Sequence, residues 1–162
     1  MTTPSAPGPA QQSEPPPPSP TRGAPTLQKL GMRAAVALYR WTGGAVGGRV
    51  GRESVLLLTT TGRKSGQRRT VPVSYFEEGS TLFVIASNAG WESHPAWYLN
   101  LVANPNAEIE IKRSRRPVTA RVATPQEREH LLAYVAIQNP RRNERIPTTR
   151  QIPVVILEPV LA

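Results

Sequence analysis

Cysteine is absent from this 162-residue chain. That excludes disulfides, thiolate nucleophiles, iron–sulfur clusters and zinc ribbons. Aspartate is absent too, since all eleven acids are glutamate, so neither an aspartic dyad nor an EF-hand loop can be built. Histidine is limited to His94 and His130. A Ser-His-Asp triad lacks its acid and a His-rich metal site lacks ligands, so no metal is expected. No stretch approaches the roughly 18 apolar residues of a membrane span. The N-terminus has no basic segment followed by an apolar one, so no secretory signal is expected. Zero cysteine is compatible with a cytoplasmic protein.

Negative charge is also scarce. Twenty Lys and Arg against eleven Glu leave a formal charge of +9. Residues 1–26 carry only Glu14 and Arg22 and hold nine of the eighteen prolines. The whole excess therefore falls on the rest of the chain, from Leu27 onward, which is long enough to bury a core. Such a balance implies an anionic partner: nucleic acid, an acidic lipid surface or a polyanionic small molecule.

Three segments follow from composition: a Pro-rich tail over 1–25, an amphipathic helix with a glycine-rich linker over 26–48, and a domain over 49–162. The tail holds almost no large apolar residue and cannot offset its chain entropy, so disorder is expected there. Leu27, Leu30, Ala34, Leu38 and Trp41 form one helical stripe, ended by Gly43, Gly44, Gly47 and Gly48. The stripe either packs on the body of the protein or, with Lys29, Arg33 and Arg40 beside it, lies on an anionic membrane. The expectation taken is packing.

Further on, strands are predicted at 54–61, 67–76, 81–87, 107–112, 117–123 and 152–157, the first three as an antiparallel meander. Pro72 marks an edge or a bulge. A helix is predicted over 96–103. Thr124-Pro125-Gln126-Glu127 is a capping box opening a second helix to about Gln138, and 139–151 reads as irregular. The class is mainly β (α+β), a small six-stranded barrel with flanking helices.

The densest chemical signal is Gly62-Arg63-Lys64-Ser65-Gly66-Gln67-Arg68-Arg69. Four cations and no acid lie in a turn between two strands, where backbone N–H groups can also face an anion; on charge alone a solvated basic turn is the usual explanation. It is not a Walker A loop, because the glycine–lysine order differs and no helix follows. Lys112, Arg113, Arg115 and Arg116 form a second cluster, read as a hairpin tip. The aromatic residues lie away from both clusters, and no RNP, helix-turn-helix or zinc-finger pattern is present, so no nucleic acid is expected. The segment 87–100 concentrates Asn, Gly, Trp and His: an indole can flank a flat ring and an Asn amide can bond a heteroatom on it, while ordinary packing of Trp97 and Tyr98 on the core reads equally well. His94 reads as a helix-start residue.

Taken together, TTTGRKSGQRR, ASNAGWESHPAWYLNLVANP and IPVVILEP resemble the deazaflavin-dependent nitroreductase / quinone reductase family over about Ser54 to Pro159. The resemblance implies an antiparallel split β-barrel like that of FMN-binding proteins. It implies coenzyme F-420, an 8-hydroxy-5-deazaflavin, as cofactor. It places Arg63, Lys64, Ser65, Gln67 and Arg69 at the coenzyme's phosphate and glutamate tail, with Pro72 beside the cofactor. Ala86, Ser87, Asn88 and Gly90 line the deazaflavin, and Trp97 and Asn100 match its PAWYLN segment. Ser87 is the candidate catalytic donor. The implied activity is hydride transfer from reduced coenzyme F-420 to a quinone, nitroaromatic or enone. The alternatives are a non-catalytic coenzyme carrier and a basic module binding nucleic acid. One departure stands out: the acceptor-side tyrosines of such quinone reductases fall near Gln138, Arg141 and Glu144, none aromatic, whereas a Thr-x-Arg-x-Ile-Pro pattern persists as Thr148, Arg150, Ile152 and Pro153. A monomer or homodimer is expected, in the cytoplasm or peripheral on the inner face of the plasma membrane through Leu27–Trp41.

Overall fold

In a computed structural model, residues 25–140 and 150–160 are described. The Pro-rich tail up to residue 24, and Arg141, Glu144 and Thr148, lie outside them. The element order is α1 (Pro25–Thr42), β1 (Arg49–Val50), β2 (Glu53–Thr61), β3 (Arg68–Glu78), β4 (Thr81–Ile85), α2 (Ala96–Ala103), β5 (Asn106–Ile111), β6 (Ser114–Val122), α3 (Pro125–Gln138) and β7 (Val154–Pro159). The sheet runs β1-β2-β3-β4-β7-β6-β5, and β2 also pairs with β5. Every pairing is antiparallel. Strands β2 to β7 therefore close a six-stranded barrel, with the two-residue β1 added beside β2.

Alternation along the strands builds two cores. Leu56, Leu58, Leu82, Val84, Ile109, Val118, Val155 and Leu157 form the inner one, with Leu101 of α2 among them. Phe83, Ile85, Val154 and Ile156 point the other way and pack with Leu131 and Val135 of α3. This explains the unbroken apolar runs of β4 and β7: both faces are covered, so neither face can be polar. The α3 start is the predicted one. The Thr124 side chain accepts from the Glu127 N–H, and the Glu127 carboxylate accepts from the Thr124 N–H at 2.8 Å.

Strands β3 and β4 pair only over Tyr75–Glu78 with Thr81–Val84. Among the described residues no strand covers the second edge of Arg68–Ser74. Pro72, opposite Leu57 of β2, sits on this open stretch, where its missing N–H costs no ladder bond.

Two expectations are corrected. The stripe on α1 does not pack on the barrel. Leu30 is 64 % exposed and Trp41 82 % exposed, while Tyr39, outside the stripe, is only 2 % exposed. The Tyr39 hydroxyl donates to the Val55 carbonyl at 3.1 Å and accepts from the Lys112 N–H at 2.9 Å. The physical reason is that a buried phenol fills a hole and both donates to and accepts from strand backbone groups, whereas Leu can do neither and the Trp indole can only donate. Second, the tip between β5 and β6 is Lys112–Arg113 alone. Arg115 and Arg116 belong to β6, and Arg115 pairs with Glu108 at 3.4 Å and Glu110 at 3.0 Å.

Candidate functional site

The basic turn between β2 and β3 is held by its own backbone. The Gly62 N–H donates to the Gln67 carbonyl at 2.8 Å, and the Gly66 N–H donates to the Gly62 carbonyl at 2.7 Å. Gly66 has φ +66°, the left-handed region open to glycine. A Cβ at Gly62 would lie 2.7 Å from the Ser65 hydroxyl oxygen, so glycine there lets Ser65 fold inward and accept from the Gln67 N–H at 3.3 Å. Arg63, Lys64, Ser65, Gln67 and Arg69 are all exposed.

The four cations of this turn are not equivalent. Arg68 and Arg69 follow one another in β3, so their side chains leave opposite faces. Arg68 faces Glu108 of β5 at 3.5 Å. Among the described residues, Arg63, Lys64 and Arg69 have no carboxylate within ion-pair distance. Three donors of positive charge are thus left to solvent or to an anionic ligand.

The second group of residues leaves the barrel where β4 ends. Ala86 is buried, and its N–H donates to the Pro153 carbonyl at 2.9 Å. Ser87 is half-buried, and its hydroxyl has no partner among the described residues. Asn88, Ala89 and Gly90 then form a 3-10 turn with φ values of 49°, 53° and 86°. The Asn88 amide closes this turn by donating to the Ser93 carbonyl at 2.8 Å. The following indole, Trp91, is 57 % exposed.

Helix α2 connects the two groups. Asn100 is buried; its amide oxygen accepts from the Arg63 N–H at 3.1 Å, and its amide nitrogen donates to the Thr60 hydroxyl at 3.0 Å. It therefore fixes the entry to the basic turn from inside. Trp97, one turn earlier, is half-buried against the inner core and meets Tyr98 edge-on at 6.4 Å. One residue outside the sequence-derived set also reaches this region. Arg150 donates to the Ala86, Ser87 and Trp91 carbonyls and to His94. The only signal for it in the sequence is the Thr-x-Arg-x-Ile-Pro pattern, which says nothing of its partners.

A separate cavity of about 240 Å³ lies between α3 and the strand ends, lined by Glu78, Arg121, Glu127, His130 and Glu158. Its polar groups satisfy one another: Arg121 with Glu127 at 2.8 Å and Glu158 at 2.6 Å, and His130 with Glu78 at 2.9 Å. Arg121 holds the Glu127 carboxyl down at about 2, and the Thr124 N–H adds to the effect. This self-contained cluster includes none of the site residues expected from the sequence.

Comparison with known proteins gives the family. Residues 31–159 match the family described as F420H(2)-dependent quinone reductase. A Mycobacterium tuberculosis protein named F420H(2)-dependent quinone reductase is 37% identical over 131 residues, 78% of this chain and 88% of its own length. A solved F420-H2 dependent reductase is 39% identical with a TM-score of 0.57, covering 64% of this chain and 93% of that one. Another solved chain, described as a domain-swapped dimer, is 34% identical with a TM-score of 0.59, covering 83% of this chain and all of that one. With the same barrel and the family match spanning most of its length, the chain belongs to the F420H(2)-dependent quinone reductases, oxidoreductases that depend on coenzyme F-420.

Proposed function

We propose that this chain reduces a small organic acceptor, of quinone type, with the coenzyme's acidic tail on the β2–β3 turn and its ring against Ala86–Gly90. The observation that carries the reading is the set of three cations, Arg63, Lys64 and Arg69, with no carboxylate of their own. The coenzyme bears a phosphate and a chain of carboxylates, and guanidinium and ammonium groups on an exposed turn suit both. Among the described residues no strand pairs with the second edge of β3 at Pro72, and the coenzyme is assigned to run along it. When bound in its reduced form, the coenzyme supplies the hydride. Reduction of a quinone then takes one proton at the acceptor oxygen, and the unpartnered Ser87 hydroxyl is the group assigned to donate there. Trp91, at the end of the same turn, has an exposed indole suited to an aromatic acceptor.

The test is to mix the protein with reduced coenzyme and a panel of quinones, nitroaromatics and enones. Oxidation of the coenzyme with quinones is expected. Binding without turnover for any acceptor would convert the reading to a coenzyme carrier.

A second reading concerns α1. Leu30, Leu38 and Trp41 are exposed on one stripe, with Lys29 and Arg33 also exposed on the helix. Among the described residues no helix is long and apolar enough to cross a membrane. We propose that α1 lies on an anionic lipid surface at the cytoplasmic side, where hydrophobic quinones dissolve. Flotation with anionic vesicles, and none with zwitterionic ones, is the expected result, lost in Leu30→Glu with Trp41→Glu. A protein that ignores both vesicles and forms a dimer abolished by the same changes would assign the stripe to a second copy instead.

A further inference from the structure

We propose that Arg150 is the positioning residue of the ring-facing turn, holding Ala86–Trp91 in the one conformation that binds the coenzyme. The inference rests on the reading of that turn as the ring site. Its support is geometric. Nη2 of Arg150 donates to the Ala86 carbonyl at 3.0 Å and to the Ser87 carbonyl at 2.9 Å. Nε donates to the Trp91 carbonyl at 3.1 Å. One guanidinium therefore grips the chain immediately before and immediately after Asn88–Ala89–Gly90.

What lies between the two grips is strained. Asn88 and Ala89 are non-glycine residues with φ of 49° and 53°, a region where a Cβ crowds the following carbonyl. Successive residues of this kind persist only when the surroundings over-determine them. The turn's own bonds, Gly90 N–H to the Ser87 carbonyl at 3.0 Å, Trp91 N–H to the Asn88 carbonyl at 3.1 Å and the Asn88 amide to the Ser93 carbonyl at 2.8 Å, all lie within the segment and tie it to nothing outside. The charged fork adds the restraint they lack.

The grip also decides which way the turn's donors face. Across a planar trans peptide, C=O and the next N–H point in opposite directions. With the Ala86 and Ser87 carbonyls drawn to Arg150, the Ser87 and Asn88 N–H groups face away from it. Neither has a partner among the described residues. They form an adjacent pair of donors suited to a carbonyl or imine nitrogen of a flat heterocycle.

The fourth contact extends the same restraint to α2. Nη1 of Arg150 lies 2.9 Å from His94 Nδ1. A guanidinium can only donate, so Nδ1 accepts and a neutral His94 carries its proton on Nε2. The His94 ring packs on Tyr98, in the first turn of α2, with centroids 4.9 Å apart. Lysine cannot reproduce this arrangement, because a single ammonium does not span three carbonyls and a ring nitrogen.

Two measurements on Arg150→Lys test the proposal: amide hydrogen exchange of the coenzyme-free protein, and coenzyme affinity by fluorescence titration. Exchange at Gly90 and Trp91 should accelerate about tenfold, and Kd should rise by a similar factor, as the competent turn becomes a minority state. Adding Ala89→Gly should restore most of the affinity, because glycine adopts a positive φ without strain. A merely structural contribution of Arg150 would not respond to that rescue. Unchanged exchange and Kd in Arg150→Lys, or failure of Ala89→Gly to recover affinity, would overturn the proposal. If Arg150→Lys does not fold, the wild-type exchange decides: unprotected Gly90 and Trp91 amides overturn the grip, and protected ones support it. Failure of the wild type to bind coenzyme at all would remove the ring-site reading, and with it the binding role of Arg150.

Discussion

Single side chains hold this molecule together by satisfying backbone groups at a distance. Tyr39 is the clearest case. Its phenol is pushed up from the usual range, first by burial and also by nearby charge, against the lowering pull of the Lys112 N–H, so it stays a neutral donor and acceptor. Tyr39→Phe keeps the ring but leaves the Val55 carbonyl and the Lys112 N–H without their partner. A loss of about 1–3 kcal/mol is expected, read by denaturant unfolding. Asn100 works in the same way toward Thr60 and Arg63. Such roles were only partly legible. The motif marked Asn100 as belonging to the site, but hydrogen bonding across forty positions has no local signature. Tyr39 has no such signal, because helical periodicity groups Leu38 and Trp41 with the leucines and leaves it off the stripe. Periodicity finds an apolar face; it does not say whether another element covers it.

Secondary elements are legible in the sequence where local chemistry decides them. The Thr124–Glu127 capping box and Pro125 start α3 as expected, and Asn104-Pro105 ends α2. Strand ends were less legible, since β4 stops at Ile85 and β7 begins only at Val154. Pairing partners set those limits, and they are distant in sequence. The two-residue β1 has no pattern of its own at all. At the α3 start, chemistry also predicts a pH dependence. Glu127 is held at about 2 against an ordinary value of 4.5, through Arg121 first and the Thr124 N–H second. A lowered carboxyl stabilises the fold above its unfolded value, and that contribution is lost as pH falls through its folded value. Glu127→Gln should therefore unfold at a lower temperature than wild type near neutral pH. The difference should shrink as pH is lowered from 4.5 to about 2. Thermal melts across that window check it, and a difference independent of pH would contradict the role of the charge.

Across the whole molecule, the +9 charge becomes more informative once pairs are assigned. Glu108 and Glu110 of β5 meet Arg40, Arg68 and Arg115, and Glu127 and Glu158 meet Arg121. What remains without a carboxylate, among the described residues, includes Arg63, Lys64 and Arg69 on one exposed turn beside an open strand edge. Composition could say that an anion was needed; only the barrel shows which cations are left for it. The measurement that tests this most directly is titration with coenzyme F-420, following its fluorescence, of the wild type, Arg68→Ala and Lys64→Ala with Arg69→Ala. The wild type should bind at micromolar protein or tighter. The double variant should weaken binding about tenfold or more, most for long glutamate tails, and Arg68→Ala should change it little. Equal affinity in wild type and double variant, or a loss as large in Arg68→Ala, would contradict the assignment of this turn to the coenzyme.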